Sequence, residues 1–120
     1  MPKTILLVED TTDIRLMMKV MIEMLGHQVV EASNGSEAVE IAEGNGFDLV
    51  LMDLAMPIMD GIEATRRIKQ IEKVADIPII AVTAHSSKYH DKALKAGVTD
   101  IVKKPIGISE LKPILLQYLH

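Results

Sequence analysis

Apolar positions along this chain fall into two kinds of stretch. Ile5 to Val8, Gln28 to Ala32, Leu49 to Met52, Ile77 to Val82 and Thr99 to Val102 are short runs rich in branched side chains. They suit strands, and the continuous apolar ones suit strands covered on both faces. Between them lie segments with helical spacing and recognisable ends. Thr11, Thr12 or Asp13 would cap a first helix that closes near Leu25-Gly26. Asn34-Gly35 reads as a turn before a small helix, Ser36 to Ala42, with Ala38, Val39 and Ala42 inward. Asp60 would cap a third helix reaching about Ile71, with Glu63 completing a capping box and Ile62, Ile68 and Ile71 on one side. Pro78 suits the start of the fourth strand. A fourth helix runs from Lys88 to Ala96, closed by Gly97. Ser109 would cap a fifth running to Tyr118, with Pro113 in its first turn or bending it.

Five strands and five helices in strict alternation imply a parallel sheet with helices on both faces, joined by right-handed crossovers. The expected class is therefore α/β: a doubly wound, five-stranded, flavodoxin-like sheet of order 2-1-3-4-5. At 120 residues and 48% hydrophobic content, one domain over 1–120 is expected, with no output domain after His120. There is no cysteine, which excludes disulfides and thiolate metal sites. A net charge of -4 without a basic run argues against direct contact with nucleic acid. The amino terminus meets acids after four apolar residues, too soon for a signal peptide or membrane span, so a cytoplasmic location is expected.

The chemistry gathers where parallel sheets usually hold ligands, at the carboxyl ends of the strands. Strand one ends in Glu9-Asp10, strand three in Asp53, strand four in Thr83-Ala84, and strand five leads to Lys103-Lys104-Pro105. In the expected order, three carboxylates, a hydroxyl and an ammonium converge. Carboxylates that close repel one another and raise at least one pKa unless a cation supplies the missing charge. An all-oxygen set favours a hard ion, Mg²⁺ or Mn²⁺. The same constellation suits phosphoryl transfer to a carboxylate, with Asp53 as nucleophile and Lys104 and the Thr83 hydroxyl donating to phosphoryl oxygens. Singly, Asp53 can also be read as an acid at the start of a loop, and Glu9-Asp10 as complements to a helix dipole; jointly, with Thr83 and Lys104 in register, the bland reading fails.

These pieces resemble the response-regulator receiver domain, the CheY-like module of two-component signalling. The matching segments are Leu-Val-Glu9-Asp10, Ala32-Ser33-Asn34-Gly35, Asp53-Leu-Ala-Met-Pro57 with Met59-Asp60-Gly61, Thr83-Ala84, Ala96-Gly97-Val98-Thr99-Asp100 and Lys104-Pro105. Six in order, from Ile5 to about Leu119, make a specific signature. The resemblance implies that Asp53 is the phosphoacceptor and that Asp10 ligates Mg²⁺ directly. It further implies that Glu9 holds the ion less directly, that the Ala55 carbonyl is another ligand, and that Thr83 and Lys104 bind the phosphoryl group. It also implies a cis Lys104-Pro105 bond. One position departs: where many receivers carry a Tyr or Phe that turns inward on activation, this chain has Ile101. A swinging ring is excluded, which moves the expected switch to the loop after strand four and to helix four. Ala55 and His85 occupy positions that tune acyl-phosphate hydrolysis in the family.

Helix one carries a second signal. Over residues 14 to 25 the polar Arg15, Lys19 and Glu23 fill one narrow stripe, and a helix on a sheet needs an apolar arc of only about 100°. Some of Ile14, Leu16, Met17, Val20, Met21 and Met24 should remain exposed as an adaptable docking edge. In the resembled family, sensor histidine kinases or histidine phosphotransfer domains dock there. Ile14, Met17, Met18, Met21 and Ile101 are therefore the candidate docking residues. The expectation is a phosphorylation-dependent signalling switch, not an enzyme with a separate substrate, monomeric, read by a downstream protein. A degenerate receiver that only binds protein is the alternative. A haloacid-dehalogenase-type phosphatase would want Asp at 55, and a flavin phosphate loop would not begin with two acids. His27, His90 and His120 are expected in solvent, as is Lys103, and Lys88, Lys92 and Lys95 form a wet helix face.

Overall fold

A computed structural model describes residues 2–56, 58–84 and 90–119. Its elements, in chain order, are β1 (Thr4–Val8), α1 (Thr12–Met24), β2 (Gln28–Ala32), α2 (Gly35–Gly44), β3 (Leu49–Asp53), α3 (Gly61–Ile68), β4 (Ile79–Thr83), α4 (His90–Ala96), β5 (Asp100–Lys103) and α5 (Ile108–Tyr118). All strand pairs are parallel and the sheet order is β2-β1-β3-β4-β5. The alternation read from the apolar runs and the expected flavodoxin-like order are those found.

Side chains leave a strand alternately on its two faces, and the core divides accordingly. Ile5, Leu7, Leu49, Leu51, Ile80 and Val82 face α1 and α5, meeting Met18, Ile22, Leu111 and Leu115. Leu6, Val8, Val50, Met52, Ile79 and Ala81 face the other side, where Ala38 and Ala42 of α2, Ala64 and Ile68 of α3 and Ala93 of α4 close in. Small residues on three helices let them lie close to the sheet and to each other. Every residue of β3 and β4 is buried, as expected of central strands covered twice.

Several element ends differ from expectation for local reasons. Asn34 is more than a turn residue: its side chain accepts the Glu37 N–H at 2.8 Å and caps α2, which extends to Gly44. Asp60 caps α3 through the Glu63 N–H at 2.9 Å, but Glu63 does not complete the expected capping box, because its carboxylate pairs with Arg66 and Arg67 one turn on. That helix stops at Ile68, and Ile71 precedes a single 3-10 turn, Glu72–Val74. Lys69 makes this short connection possible, because its Nζ donates to the Ala75 and Ile77 carbonyls at 3.0 and 2.8 Å. β4 begins at Ile79, one residue past Pro78. β5 runs one residue later than expected, since Thr99 is used otherwise: its hydroxyl accepts the Ile79 N–H at 3.2 Å. α5 is capped at Gly107 rather than Ser109, with Glu110 Oε1 accepting the Gly107 N–H at 2.6 Å. Pro113 therefore lies beyond the first turn, inside the helix. Lys88 and Tyr89, the expected start of the fourth helix, fall outside the described residues, as do Pro57, His85 and His120.

Candidate functional site

Strand register builds the site before any side chain is considered. Val8 pairs with Met52, Asp53 with Val82, and Thr83 with Lys103. Glu9, Asp53, Thr83 and Lys104 are thereby delivered side by side at the carboxyl ends of β1, β3, β4 and β5. The order β1-β3 in the sheet makes the acids of the first and third strands neighbours.

Oxygens of Glu9, Asp10 and Asp53 come within 4.8 Å of one another. Glu9 and Asp53 are buried, at 2% and 4% exposure, whereas Asp10 is more accessible. Lys104 Nζ lies 2.9 Å from Glu9 Oε1 and 3.4 Å from Asp53 Oδ2, bridging the two buried acids. The remaining oxygens of the two acids have backbone donors. Thr11 N–H donates to Glu9 Oε2 at 3.1 Å, and Ala55 N–H donates to Asp53 Oδ1 at 3.2 Å. Lys104 is itself held by its backbone N–H, which donates to the Thr83 carbonyl at 2.7 Å. Its peptide bond to Pro105 is cis, as the family likeness implied.

The charge count is uneven, with one ammonium among three carboxylates. Burial and the nearby Glu9 charge push the Asp53 carboxyl up to about 7, and Lys104 and the Ala55 N–H only partly oppose this. Burial pulls the Lys104 ammonium down, but the hydrogen bond to Glu9 and the charges of Asp53 and Glu9 outweigh it, so its pKa is raised. A carboxyl this easily protonated in a crowded acidic pocket marks a place for positive charge. An all-oxygen donor set of this spacing fits a hard divalent cation, with Glu9, Asp10 and Asp53 as its holders.

Thr83 is buried at 2% exposure on the strand beside Asp53. Ala55 is exposed two residues beyond the acid. The docking residues do not form one surface. Ile14, Met18 and Met21 pack on the α1/α5 side of the sheet, while Ile101 packs on the opposite side against the α2–α4 cluster. Met18, at 3% exposure, is a core residue. The exposed edge of α1 is instead Leu16, Met17, Val20 and Met24, at 48, 53, 54 and 71%. Lys103, Lys92, Lys95 and His90 are exposed as expected, but His27 is half-buried and its Nδ1 accepts the Lys3 N–H at 3.2 Å.

Two supports of the site were missed from the sequence. Arg15 reaches from α1 to donate to the Glu9 carbonyl at 2.8 Å while its Nε pairs with Glu31 at 3.2 Å, pinning the β1–α1 turn to β2. Its place in the polar stripe of α1 was the available signal. Gly61 lets α3 start against the site: a Cβ there would lie 2.1 Å from the Asp53 carbonyl oxygen.

A family model described as the response regulator receiver domain matches residues 5–116. The polar-differentiation response regulator DivK of Brucella anthropi is 32% identical, the match covering 99% of this chain and 98% of that protein. The signal transduction histidine-protein kinase BarA of Escherichia coli is 39% identical, over 96% of this chain but only 13% of its own length. Among solved structures, the receiver domain of the sensor histidine kinase PA1611 from Pseudomonas aeruginosa superimposes with a TM-score of 0.92. It is 36% identical, with 98% of both chains covered, and carries a magnesium ion in its active-site cleft.

Proposed function

The chain belongs to the response-regulator receiver family of two-component signalling, and from that premise we propose that it is a phosphorylation-dependent switch in which Asp53 accepts a phosphoryl group from a phosphohistidine. The observation that carries this reading is the carboxylate cluster at the ends of β1 and β3, bridged by Lys104 at 2.9 and 3.4 Å. Receiver domains are signalling switches rather than classical enzymes. The relatives include both response regulators and histidine kinases, which supports a kinase or phosphotransfer protein as donor. Because the chain spans only 13% of BarA, nothing of that longer protein's activity is carried over.

Each residue has a separate role. Asp53 supplies the nucleophilic oxygen, and its Oδ1 is oriented by the Ala55 N–H, which leaves Oδ2 facing Lys104. Asp10, Asp53 and the Ala55 carbonyl would hold Mg²⁺, with Glu9 supporting it less directly. When bound, that ion supplies charge neutralisation for the acids and the incoming phosphoryl oxygens. Lys104 turns from Glu9 and Asp53 to the phosphoryl group, and the Thr83 hydroxyl donates to another of its oxygens. With a half-buried Ile101 in place of a swinging ring, the signal passes through Thr83 and the segment that follows it. The altered surface is read by a downstream protein.

Intact mass after incubation with Mg²⁺ and acetyl phosphate, beside an Asp53→Asn control, tests the reading. One phosphoryl adduct that needs both Mg²⁺ and Asp53 is expected. Failure to form it while Mg²⁺ binds would leave a module that acts only by binding protein.

A further inference from the structure

An apolar cavity of about 330 Å³ opens beside the phosphoacceptor site on the α1/α5 side of the sheet. Ile14, Met17 and Met18 of α1, Val82 of β4 and Ile106 wall it, and Lys104 borders it. Among these described residues Lys104 is the only charged one, and its Nζ is also the group 3.4 Å from Asp53 Oδ2. The cavity and the site thus share one side chain. Its volume falls at the lower end of the range of small-ligand pockets, and it lacks the convergent polar groups that fix a polar ligand.

A small donor that reached Asp53 would present two chemically different ends: a phosphoryl group aimed at the acid and a leaving group on the far side. We propose that this cavity seats the hydrocarbon tail of a short-chain acyl phosphate, making the site selective for small donors with an apolar leaving group. The inference rests on Asp53 being the phosphoacceptor. In the step, an Asp53 carboxylate oxygen forms a bond to phosphorus. The bond from phosphorus to the acyl oxygen breaks, and its electron pair leaves with the carboxylate. No proton is required, since the leaving group departs as an anion. The Lys104 ammonium, between cavity and acid, complements the negative charge on both donor and departing carboxylate. Charge complementarity at one end and apolar walls at the other select this class of molecule over a polar phosphodonor.

Butyryl phosphate differs from acetyl phosphate by two methylenes, each favoured about fourfold when moved from water to an apolar seat. With Mg²⁺, the second-order rate of adduct formation should be at least about fivefold higher for butyryl than for acetyl phosphate. Met17→Ser, at a half-exposed position whose loss the fold tolerates, should bring that ratio towards one. Methyl NMR with sodium butyrate, which cannot phosphorylate, should shift the Met17 and Met18 methyl signals more than sodium acetate does. Equal rates for the two donors, or no selective shift with butyrate, overturn the seat while leaving Asp53 as acceptor. No adduct from either donor overturns the acceptor reading and this inference with it.

Discussion

Asp53 holds its charge against its surroundings. Its carboxyl is raised from 3.8 to about 7 because burial and Glu9 disfavour the anion. A raised folded-state pKa stabilises the fold at low pH, where the acid is neutral, and that contribution is lost as pH climbs from about 4 to about 7. Every tenfold change in proton affinity between the folded and unfolded chain corresponds to about 1.4 kcal/mol. Metal-free protein should therefore lose several degrees of Tm between pH 5 and 8 relative to Asp53→Asn, and Mg²⁺ should restore them at pH 8. Superimposable Tm profiles for the two proteins would show that neither burial nor Glu9 disfavours the Asp53 anion. Thr65, in α3, is another buried polar group, with no exposure and, among the described residues, no hydrogen-bond partner for its Oγ1. Val has the same shape without the hydroxyl, so Thr65→Val should raise stability by about 1 kcal/mol in urea unfolding. A loss of similar size would mean that the hydroxyl is satisfied in solution.

Among the elements, α3 begins where the site ends, and this juxtaposition depends on one missing Cβ. Gly61 N–H donates to the Leu54 carbonyl at 3.0 Å, and a methyl would overlap the Asp53 carbonyl. Gly61→Ala should cost about 2–3 kcal/mol and weaken Mg²⁺ binding, because relief of the overlap must move either α3 or the acid. Gly44, at the end of α2, has nothing within 4 Å of the same position among the described residues. Gly44→Ala should be stabilising by about 0.5–1 kcal/mol, and denaturant curves of the two variants separate packing from propensity. Most elements were legible because β1, β3 and β4 are compact apolar runs and α1 and α4 close at glycines. The ends that shifted depended on where long side chains near them reach: Glu110 set Gly107 as the cap of α5, and Lys69 drew the chain after α3 into its short turn. The reach of a long side chain is not encoded in local periodicity.

Across the whole molecule, the sheet separates two surfaces that residue type alone groups together. Ile101 shares the apolar character expected of a docking residue on α1, yet it packs on the other side of the sheet. The exposed apolar edge of α1 runs through Leu16, Val20 and Met24, one turn apart along the helix. Val20→Lys should leave Tm within about 2 °C, since the residue is 54% exposed. It should slow transfer from a phosphohistidine protein by about tenfold, the loss expected when an interface anchor is replaced by charge. Rates of transfer from a purified phosphotransfer domain would check this, and an unchanged rate would remove this edge from the donor interface. Among the described residues no helix is long and apolar enough to cross a membrane.

The order of residue types was enough to establish the α/β class and the identity of the acids, the hydroxyl and the lysine at the strand ends, while the strand order came from the likeness to flavodoxin-like sheets. It sufficed because apolar runs report burial directly, and because the crossover rule leaves a parallel sheet few arrangements. Which of those groups meet, and at what cost, came from the assembled fold. That Lys104 bridges Glu9 and Asp53, that Arg15 holds the β1–α1 turn, and that Met18 is core while Met17 is surface are all facts of register and reach. Distances between residues far apart in the chain are set by how the strands align and how the helices pack, and a pattern of residue types carries neither.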